Sequence, residues 1–392
     1  RLLAMTGIRN LCVALTVPVL QLSTPAYALD DEHWQKADAA INRGIAYLRQ
    51  VQSDDGSWSP QPGPAITAMV LAVMLDRPHI STKDQAAQRA LAFILTKRKS
   101  DGSIHDGFLK NYNTAICLSA LAQVHDRPQV AEVIPEAQRF LCGLQWSTQI
   151  APNGKQVDQS HPFFGGAGYG KHGRPDLSNT GVMLQGLYDS GLSCDDPAFE
   201  RALVFITRCQ GTKLNDMLSD KIVNDGGFIY ATSIDKDLIG APQSMARPEP
   251  NDVALQEKPV SRLRTYGSMT YAGFKSYAYA ALDRKDTRVV DAYNWIRRNY
   301  TVDHNPGMPE NRKMQGYFYY LMTMSRALNA WGETYVASPN GVAHDWANDI
   351  IDKLISLQRD NGSWVNQSSR WMEKDPNLVT AYALIALTRA IN

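Results

Sequence analysis

The chain has 392 residues, of which 44% are hydrophobic, and this is enough apolar material for a large buried core. Its 40 Lys and Arg residues balance 39 Asp and Glu residues, so the formal net charge is +1. A nearly neutral chain has no long-range field that would attract nucleic acid or an anionic membrane surface. We therefore expect no nucleic-acid partner and a ligand that is selected by local chemistry.

The first 28 residues have the features of a secretory signal peptide. A basic start precedes a short apolar run at residues 11–20, and residues 26–28 form a small-x-small cleavage site. Pro18 interrupts the run, which is too short for a comfortable membrane span; an N-terminal anchor or a packed apolar helix is the alternative. We predict that residues 1–28 are removed and that residues 29–392 form one domain without a membrane span. The mature protein would then be periplasmic or secreted.

Short polar turns alternate with helical stretches along the rest of the chain. The phrase Asp-Gly-Ser occurs at residues 55–57 and 101–103, and Asp-Asn-Gly-Ser occurs at residues 360–363. Glycine supplies the backbone freedom for a sharp reversal, while Asp and Ser bond the amides of the turn. Each turn follows a helix with a charged face and precedes a helix that is apolar nearly all round. A helix of the second kind must be buried on most sides.

Six such pairs of helical stretches are predicted. The second helices of the pairs include residues 64–75, 114–121, 180–187, 270–278, 317–328 and 380–387. Repeated units bury each other's apolar faces, and closing six units into a ring leaves no terminal repeat exposed. The sequence therefore predicts an all-α fold, an α/α toroid with an inner ring of apolar helices inside an outer ring. An open solenoid is the alternative.

A threonine recurs in one register near the start of five inner helices. These residues are Thr67, Thr114, Thr180, Thr270 and Thr380. A threonine at this place caps the helix or bonds back to the preceding turn. We predict a structural role for the series.

The sequence Gln-x-x-x-Gly-x-Trp occurs at residues 52–58 and 358–364, with a degenerate copy at residues 225–228. It resembles the repeat of squalene-hopene cyclases, oxidosqualene cyclases and the β-subunits of protein prenyltransferases. The resemblance covers the chain from about residue 35 onward, as judged from the six units. It implies an α/α toroid around an apolar cavity, an isoprenoid or other apolar ligand and, for an enzyme, a cyclase, isomerase or transferase. The motif identifies the fold better than the activity, because several activities share this barrel.

In the cyclases an Asp-x-Asp-Asp-Thr sequence opens one inner helix, and its second Asp protonates the substrate. Residues 176–180 resemble it, with Asp176 and Thr180 retained and with Ser178 and Asn179 in place of the other two acids. Asp176 is therefore the candidate catalytic residue. A hydroxyl is too weak an acid to protonate an alkene, so we expect no conventional acid-initiated cyclisation.

The prenyltransferases resemble this chain in a Gly-Gly phrase ahead of an inner helix, and they bind zinc through an Asp-x-Cys pair and a distant His. Here the residues that lead into the corresponding inner helix, 266–270, offer no Cys. We expect no metal site and no cofactor.

In a ring, the segments that precede the inner helices meet at one mouth, where unpaired helix amides attract polar groups. Candidate ligand-binding residues come from these segments and from the aromatic residues of the inner helices. They are Asn113, His172, Arg174, Asn179, Tyr266, Tyr271, Gln315, Tyr317 and Trp371.

Each group of candidates has a structural alternative. His172 and Arg174 belong to a glycine-rich segment, residues 163–175, which is either a lid over the cavity or a surface loop. Asp176 and Asn179 are residue types that commonly cap helices. The tyrosines are suited to packing as well as to a cavity wall.

Two functions remain open. The first is an exported enzyme or former enzyme that transforms or holds an apolar ligand in the central cavity. The second is a non-catalytic protein that uses the toroid mouth for a peptide, a glycan or a partner domain. Exported α/α toroids also include polysaccharide lyases and thioester proteins, and residues 142–145 have the letters Cys-Gly-x-Gln of a thioester. They end an outer helix, whereas the thioester proteins have theirs at the start of an inner helix, so we interpret the match as a coincidence.

Overall fold

A computed structural model describes residues 29–150, 154, 156–170, 173–233, 243–246 and 262–392. The predicted signal peptide and His172 lie outside these residues. Within them, no helix combines the length and the apolar character that crossing a membrane requires.

The described residues form two concentric rings of helices. The outer helices are α1 (Asp31–Gln50), α3 (Gln85–Thr96), α6 (Val133–Leu144), α8 (Pro197–Arg208), α10 (Thr287–Arg298) and α12 (Trp346–Leu357). The inner helices are α2 (Ala65–Leu75), α4 (Lys110–Ala122), α7 (Leu177–Asp189), α9 (Gly267–Tyr279), α11 (Tyr317–Trp331) and α13 (Pro376–Ile391). One further turn, α5 (Pro128–Ala131), precedes α6. An antiparallel hairpin of β1 (Tyr335–Ala337) and β2 (Ala343–Asp345) joins α11 to α12, with Val336 opposite His344.

The inner helices contact one another in the order α2, α4, α7, α9, α11 and α13, and α13 contacts α2. The outer helix α1 also contacts α12 and α13. The ring is therefore closed, which confirms the predicted α/α toroid. Burial distinguishes the two layers: twelve of the thirteen residues of α9 are buried, but only four of the twelve residues of α12.

The repeated turn glycines touch the next outer helix. Gly56 and Gly362 have φ angles of +88° and +86°, and a Cβ at either would lie 2.4 Å from a carbonyl oxygen, that of Arg89 in α3 or of Arg43 in α1. Gly102, Gly165 and Gly226 approach α6, α8 and α10 in the same way. Both the left-handed backbone and the close approach require glycine. The contact of Gly362 with α1 joins the last unit to the first.

The glutamine of the repeat ties each turn to the same neighbouring helix. Gln358 Nε2 donates to the carbonyl oxygens of Gly362 (3.0 Å) and Ala40 (2.9 Å), and Ala40 lies in α1. Gln52, Gln145 and Gln210 make the equivalent pairs of bonds to their own turns and to α3, α8 and α10. Gln145, the glutamine of the Cys-Gly-x-Gln sequence at residues 142–145, thus serves as the repeat glutamine of the third unit.

The recurring threonines fasten each turn to its inner helix. Their Oγ1 atoms accept the backbone N–H of the second residue after the turn glycine, at 3.0–3.2 Å. In the first and last units this residue is Trp58 or Trp364, whose buried indole Nε1 donates to Leu48 O or Leu354 O of the outer helix. The predicted structural role of the threonines is confirmed.

Candidate functional site

A cavity of about 320 Å³ lies where the N-termini of the inner helices meet. All six inner helices contribute to its wall, through Ile66, Tyr112, Ser178, Met269, Tyr319 and Leu378 among others. The residue two positions before each recurring threonine faces it. These residues are Ala65, Tyr112, Ser178, Ser268 and Leu378. The position two residues before each recurring threonine is thus a sequence signal for the cavity wall.

Six tyrosines form much of the cavity wall. They are Tyr112, Tyr169, Tyr230, Tyr266, Tyr319 and Tyr382. The hydroxyls of Tyr112 and Tyr382 lie 3.3 Å apart, and Ser178 Oγ lies 3.1 Å from the Tyr319 hydroxyl. These hydrogen bonds pair polar atoms with each other, so that mostly ring carbon remains for a ligand. The wall suits an apolar molecule.

Glu373 is the single carboxyl residue among the described residues that line this cavity. Its Oε1 accepts the backbone N–H of Tyr319 at 2.8 Å, and its Oε2 accepts Asn366 Nδ2 at 2.5 Å. Because α11 begins after Gly316, which has no side chain, Glu373 serves as the cap of this helix. Burial raises the pKa of Glu373 to about 7, although the hydrogen bonds from Asn366 and the first amides of α11 oppose the rise. A carboxyl that changes its charge near neutral pH therefore borders the cavity.

The segment just before Glu373 forms part of the mouth. Trp371 and Met372 have φ angles of +52° and +63°. These values lie in the left-handed region of backbone conformation, which residues other than glycine rarely adopt. Both line the cavity, and 42% of Trp371 is exposed to solvent. The backbone of two bulky residues is thus held in an unfavourable conformation at the entrance to the cavity.

Asp176 lies behind the cavity wall. It caps α7: Oδ1 accepts the backbone N–H of Asn179 and Oδ2 accepts Asn179 Nδ2, both at 2.8 Å. The carboxyl is fully buried. Burial raises its pKa to about 6, although the hydrogen bonds from Asn179 and Tyr230 act to lower the pKa. The residue of this helix that lines the cavity is Ser178.

Two of the predicted ligand-binding residues, Tyr266 and Trp371, line the cavity. Asn113 instead holds the start of α2, since its Oδ1 accepts the N–H of Ala65 and its Nδ2 donates to Pro62 O, both at 2.9 Å. Arg174 donates to Ser233 O at 3.1 Å and to Gln243 Oε1 at 2.6 Å. It thereby links Ser233 and Gln243, which lie close in the chain to the wall residues Tyr230 and Met245.

The other candidates serve the packing of the toroid. Asn179 binds Asp176, as described above, and Tyr271 packs against Tyr320 with ring centres 5.7 Å apart. The Tyr317 hydroxyl donates to the carbonyl oxygen of Val302. Gln315 precedes α11 and is not part of the cavity wall, and His172 lies outside the described residues. Among the described residues, no group of three or more His, Cys, Asp or Glu side chains is arranged to hold a metal ion.

No protein-family model and no curated protein matches this sequence. Solved structures do match its fold. Type II terpene cyclase MstE from Scytonema, in complex with the substrate geranylgeranyl dihydroxybenzoate, is 13% identical; the match covers 93% of this chain and 99% of the cyclase, with a TM-score of 0.54. The same cyclase in complex with the product merosterolic acid A is 14% identical, with the same coverage and a TM-score of 0.53.

A glycoside hydrolase family 76 mannosidase from Bacteroides thetaiotaomicron is also similar. It is 11% identical, and the match covers 91% of this chain and 98% of the mannosidase, with a TM-score of 0.52. At these identities the comparisons show the α/α toroid, which serves terpenoid and glycan chemistry alike. The fold alone therefore does not determine the function, which depends on the cavity of this chain.

Proposed function

We propose that this protein is exported and binds an isoprenoid or other elongated apolar ligand in its central cavity. The observation that carries the proposal is the cavity itself, whose volume of about 320 Å³ lies in the range of small-molecule sites. Its wall consists largely of Tyr, Met, Leu and Ile side chains. Burying apolar ligand surface against such a wall is favourable by about 25 cal/mol per Å². The signal-peptide pattern supports export.

The proposed chemistry does not include conventional acid-initiated cyclisation. Ser178 stands on the wall where the cyclases have their acid, and Asp176 is turned toward Asn179. Glu373 is a weak acid in this setting, since burial raises its pKa to about 7. Protonation of an alkene needs a much stronger acid. Glu373 is instead suited to accept a hydrogen bond from a polar end group of the ligand, or to exchange a proton with it.

A second function has one observation in its favour. Tyr169, Trp371 and Met372 at the mouth are exposed large apolar side chains, and Phe108 next to the wall residue Leu109 is exposed as well. Exposed apolar groups that cluster at an opening are typical of binding surfaces. The alternative is therefore a non-catalytic protein that uses this mouth for a peptide, a glycan or a partner domain.

Equilibrium dialysis with radiolabelled geranylgeraniol tests the first proposal. We expect one molecule to bind per chain. Ser178→Leu adds side-chain volume to the cavity and should weaken binding by at least about tenfold, which is the effect of about 1.4 kcal/mol. Ser356→Leu makes the same replacement on the exposed face of the outer helix α12 and should bind like the wild type. This control accounts for non-specific adsorption.

Two results would overturn the proposal: absence of binding to the wild type, or equal binding by both variants. Retention of a mannose oligosaccharide in place of geranylgeraniol would favour the glycan form of the alternative.

A further inference from the structure

A second, smaller cavity of about 40 Å³ lies deeper along the axis of the ring. Side chains from all six inner helices line it, and Met69, Tyr112 and Tyr319 separate it from the larger cavity by lining both. One water molecule needs about 10–15 Å³ of such space, so the cavity has room for one small ion or end group and little more.

Two basic side chains border this cavity, and its described lining contains no carboxyl group. Lys275 of α9 is 5% exposed and donates one hydrogen bond, from Nζ to Gln185 Oε1 at 2.6 Å. An ammonium group has three N–H donors. The remaining two have no oxygen acceptor within the described residues, and Nζ lies 5.6 Å from the ring centre of Tyr279.

Arg326 of α11 completes the basic pair. Its Nε is buried and has no hydrogen-bond partner in the described part of the chain. A buried donor without a partner is costly, because it has lost its hydrogen bonds to water without replacement. Lys275 and Arg326 thus border one small, enclosed space, and several of their N–H donors lack an acceptor among the described residues.

The nearest acidic groups do not cancel this positive charge. They belong to a third cavity of about 270 Å³ at the C-terminal ends of the inner helices, which is lined by Asp76, Asp189, Arg326 and Arg389 among others. Asp76 lies 3.9 Å from the guanidinium of Arg389. Around the two cavities, three basic side chains thus face two acidic ones, which leaves one positive charge in excess.

We propose that Lys275 and Arg326 form an internal binding site for one small monovalent anion, either a halide or the carboxylate of an organic molecule. The anion would accept the free N–H groups of Lys275 and the Nε–H of Arg326, and it would supply the missing negative charge. Charge-assisted hydrogen bonds of this kind are roughly twice as strong as neutral ones. Arg326 and Ser119 line both the small cavity and the third cavity, so the C-terminal mouth is the route of entry. The site does not depend on the apolar ligand proposed above.

Thermal unfolding at pH 6, where Lys275 with its pKa of about 7 is mostly protonated, tests the proposal at constant ionic strength. Chloride or formate replaces gluconate, which is too large for the cavity. A ligand that binds only the folded protein raises the Tm in a saturable way, by about 3 °C or more at concentrations far above its Kd. A larger rise with chloride would assign the site to a halide, and a larger rise with formate would assign it to a carboxylate. Equal Tm values in all three salts would overturn the proposal.

Variants locate the effect. Lys275→Met removes the charge at similar volume and should abolish the rise, whereas Lys83→Met removes an exposed charge outside both cavities and should retain it. The reverse pattern would overturn the proposal. Crystals grown with iodide should show an anomalous peak within hydrogen-bonding distance of Lys275 Nζ, and this measurement decides the matter even for a variant that fails to fold.

Discussion

Replacing Gly362 by alanine should weaken the joint that closes the ring. The new Cβ would lie 2.4 Å from the carbonyl oxygen of Arg43, whereas ordinary contacts begin at 3.4 Å, so the turn and α1 have to separate by about 1 Å. Overpacking of this kind costs about 1–3 kcal/mol. The φ angle of +86° adds about 1 kcal/mol, because alanine disfavours the left-handed region. We expect a total loss of about 2–4 kcal/mol.

Gly341 offers a matched control, since its φ angle is +88° and an added Cβ would meet nothing within 4 Å. Gly341→Ala should therefore lose only the backbone part, about 1 kcal/mol. Urea unfolding followed by circular dichroism measures both free energies of unfolding. Equal losses in the two variants would refute the reasoning, because the contact of Gly362 with α1 would then contribute nothing.

Three further predictions concern buried charges. The folded-state pKa of Glu373, about 7, lies above its ordinary value of 4.5, so its contribution to stability is full below pH 4.5 and is lost as the pH rises through 7. Glu373→Gln should remove this loss of stability, which amounts to at most about 3 kcal/mol between pH 4.5 and 8. Urea unfolding measures the free energy of unfolding across this pH range, with the exposed Glu200→Gln as the control that keeps the loss. Lys275 has a pKa of about 7 instead of 10.5, so the unfolded chain binds more protons between these values and the wild type gains stability as the pH rises. In chloride-free gluconate, Lys275→Met should therefore be more stable than the wild type at pH 7, by at most about 5 kcal/mol, and its advantage should be smaller at pH 10. If the difference in the free energy of unfolding between the two proteins were the same at both pH values, the lowered pKa of Lys275 would be contradicted. Asp176→Asn keeps a capping residue on α7 and should bind geranylgeraniol like the wild type in equilibrium dialysis, whereas a tenfold loss would restore Asp176 as a ligand-site residue.

The ring is predictable from the sequence because the groups that join its units are local and repeated. The threonine that recurs in the inner helices binds the turn just before it, and the glutamine binds its own turn as well as the next outer helix. Turn chemistry and helical periodicity therefore point to the same architecture. Agreement between local and global preferences of this kind is what specifies a fold.

The cavity wall is less predictable, because helical geometry sends adjacent aromatic residues in different directions. Successive residues of a helix point about 100° apart. Of the four aromatic residues that begin α11, Tyr319 lines the cavity, while the hydroxyls of Tyr317 and Tyr320 bind the carbonyl oxygens of Val302 and Thr301. Composition alone cannot separate these roles.

Glu373 carries no recognisable sequence signal. It lies in a turn, outside any repeated motif, and reaches the first amides of α11 across 54 positions of the chain. Its capping role arises because Gly316, at the proper capping position, has no side chain. Only the three-dimensional arrangement shows that the carboxyl borders the cavity. The same is true of the backbone of Trp371 and Met372, whose left-handed conformation nothing in their residue types suggests.

Because the ring is closed, each unit packs between two neighbours, and only the covalent chain determines which unit comes first. Gln358 binds α1 just as Gln52 binds α3, although the first joint is noncovalent and the second lies within continuous chain. The toroid therefore has no structural first unit. A circular permutant that opens the chain at the solvent-exposed tip of the β1–β2 hairpin, near Gly341, and connects residue 392 to the start of α1 by a flexible linker should rebuild the same cavity.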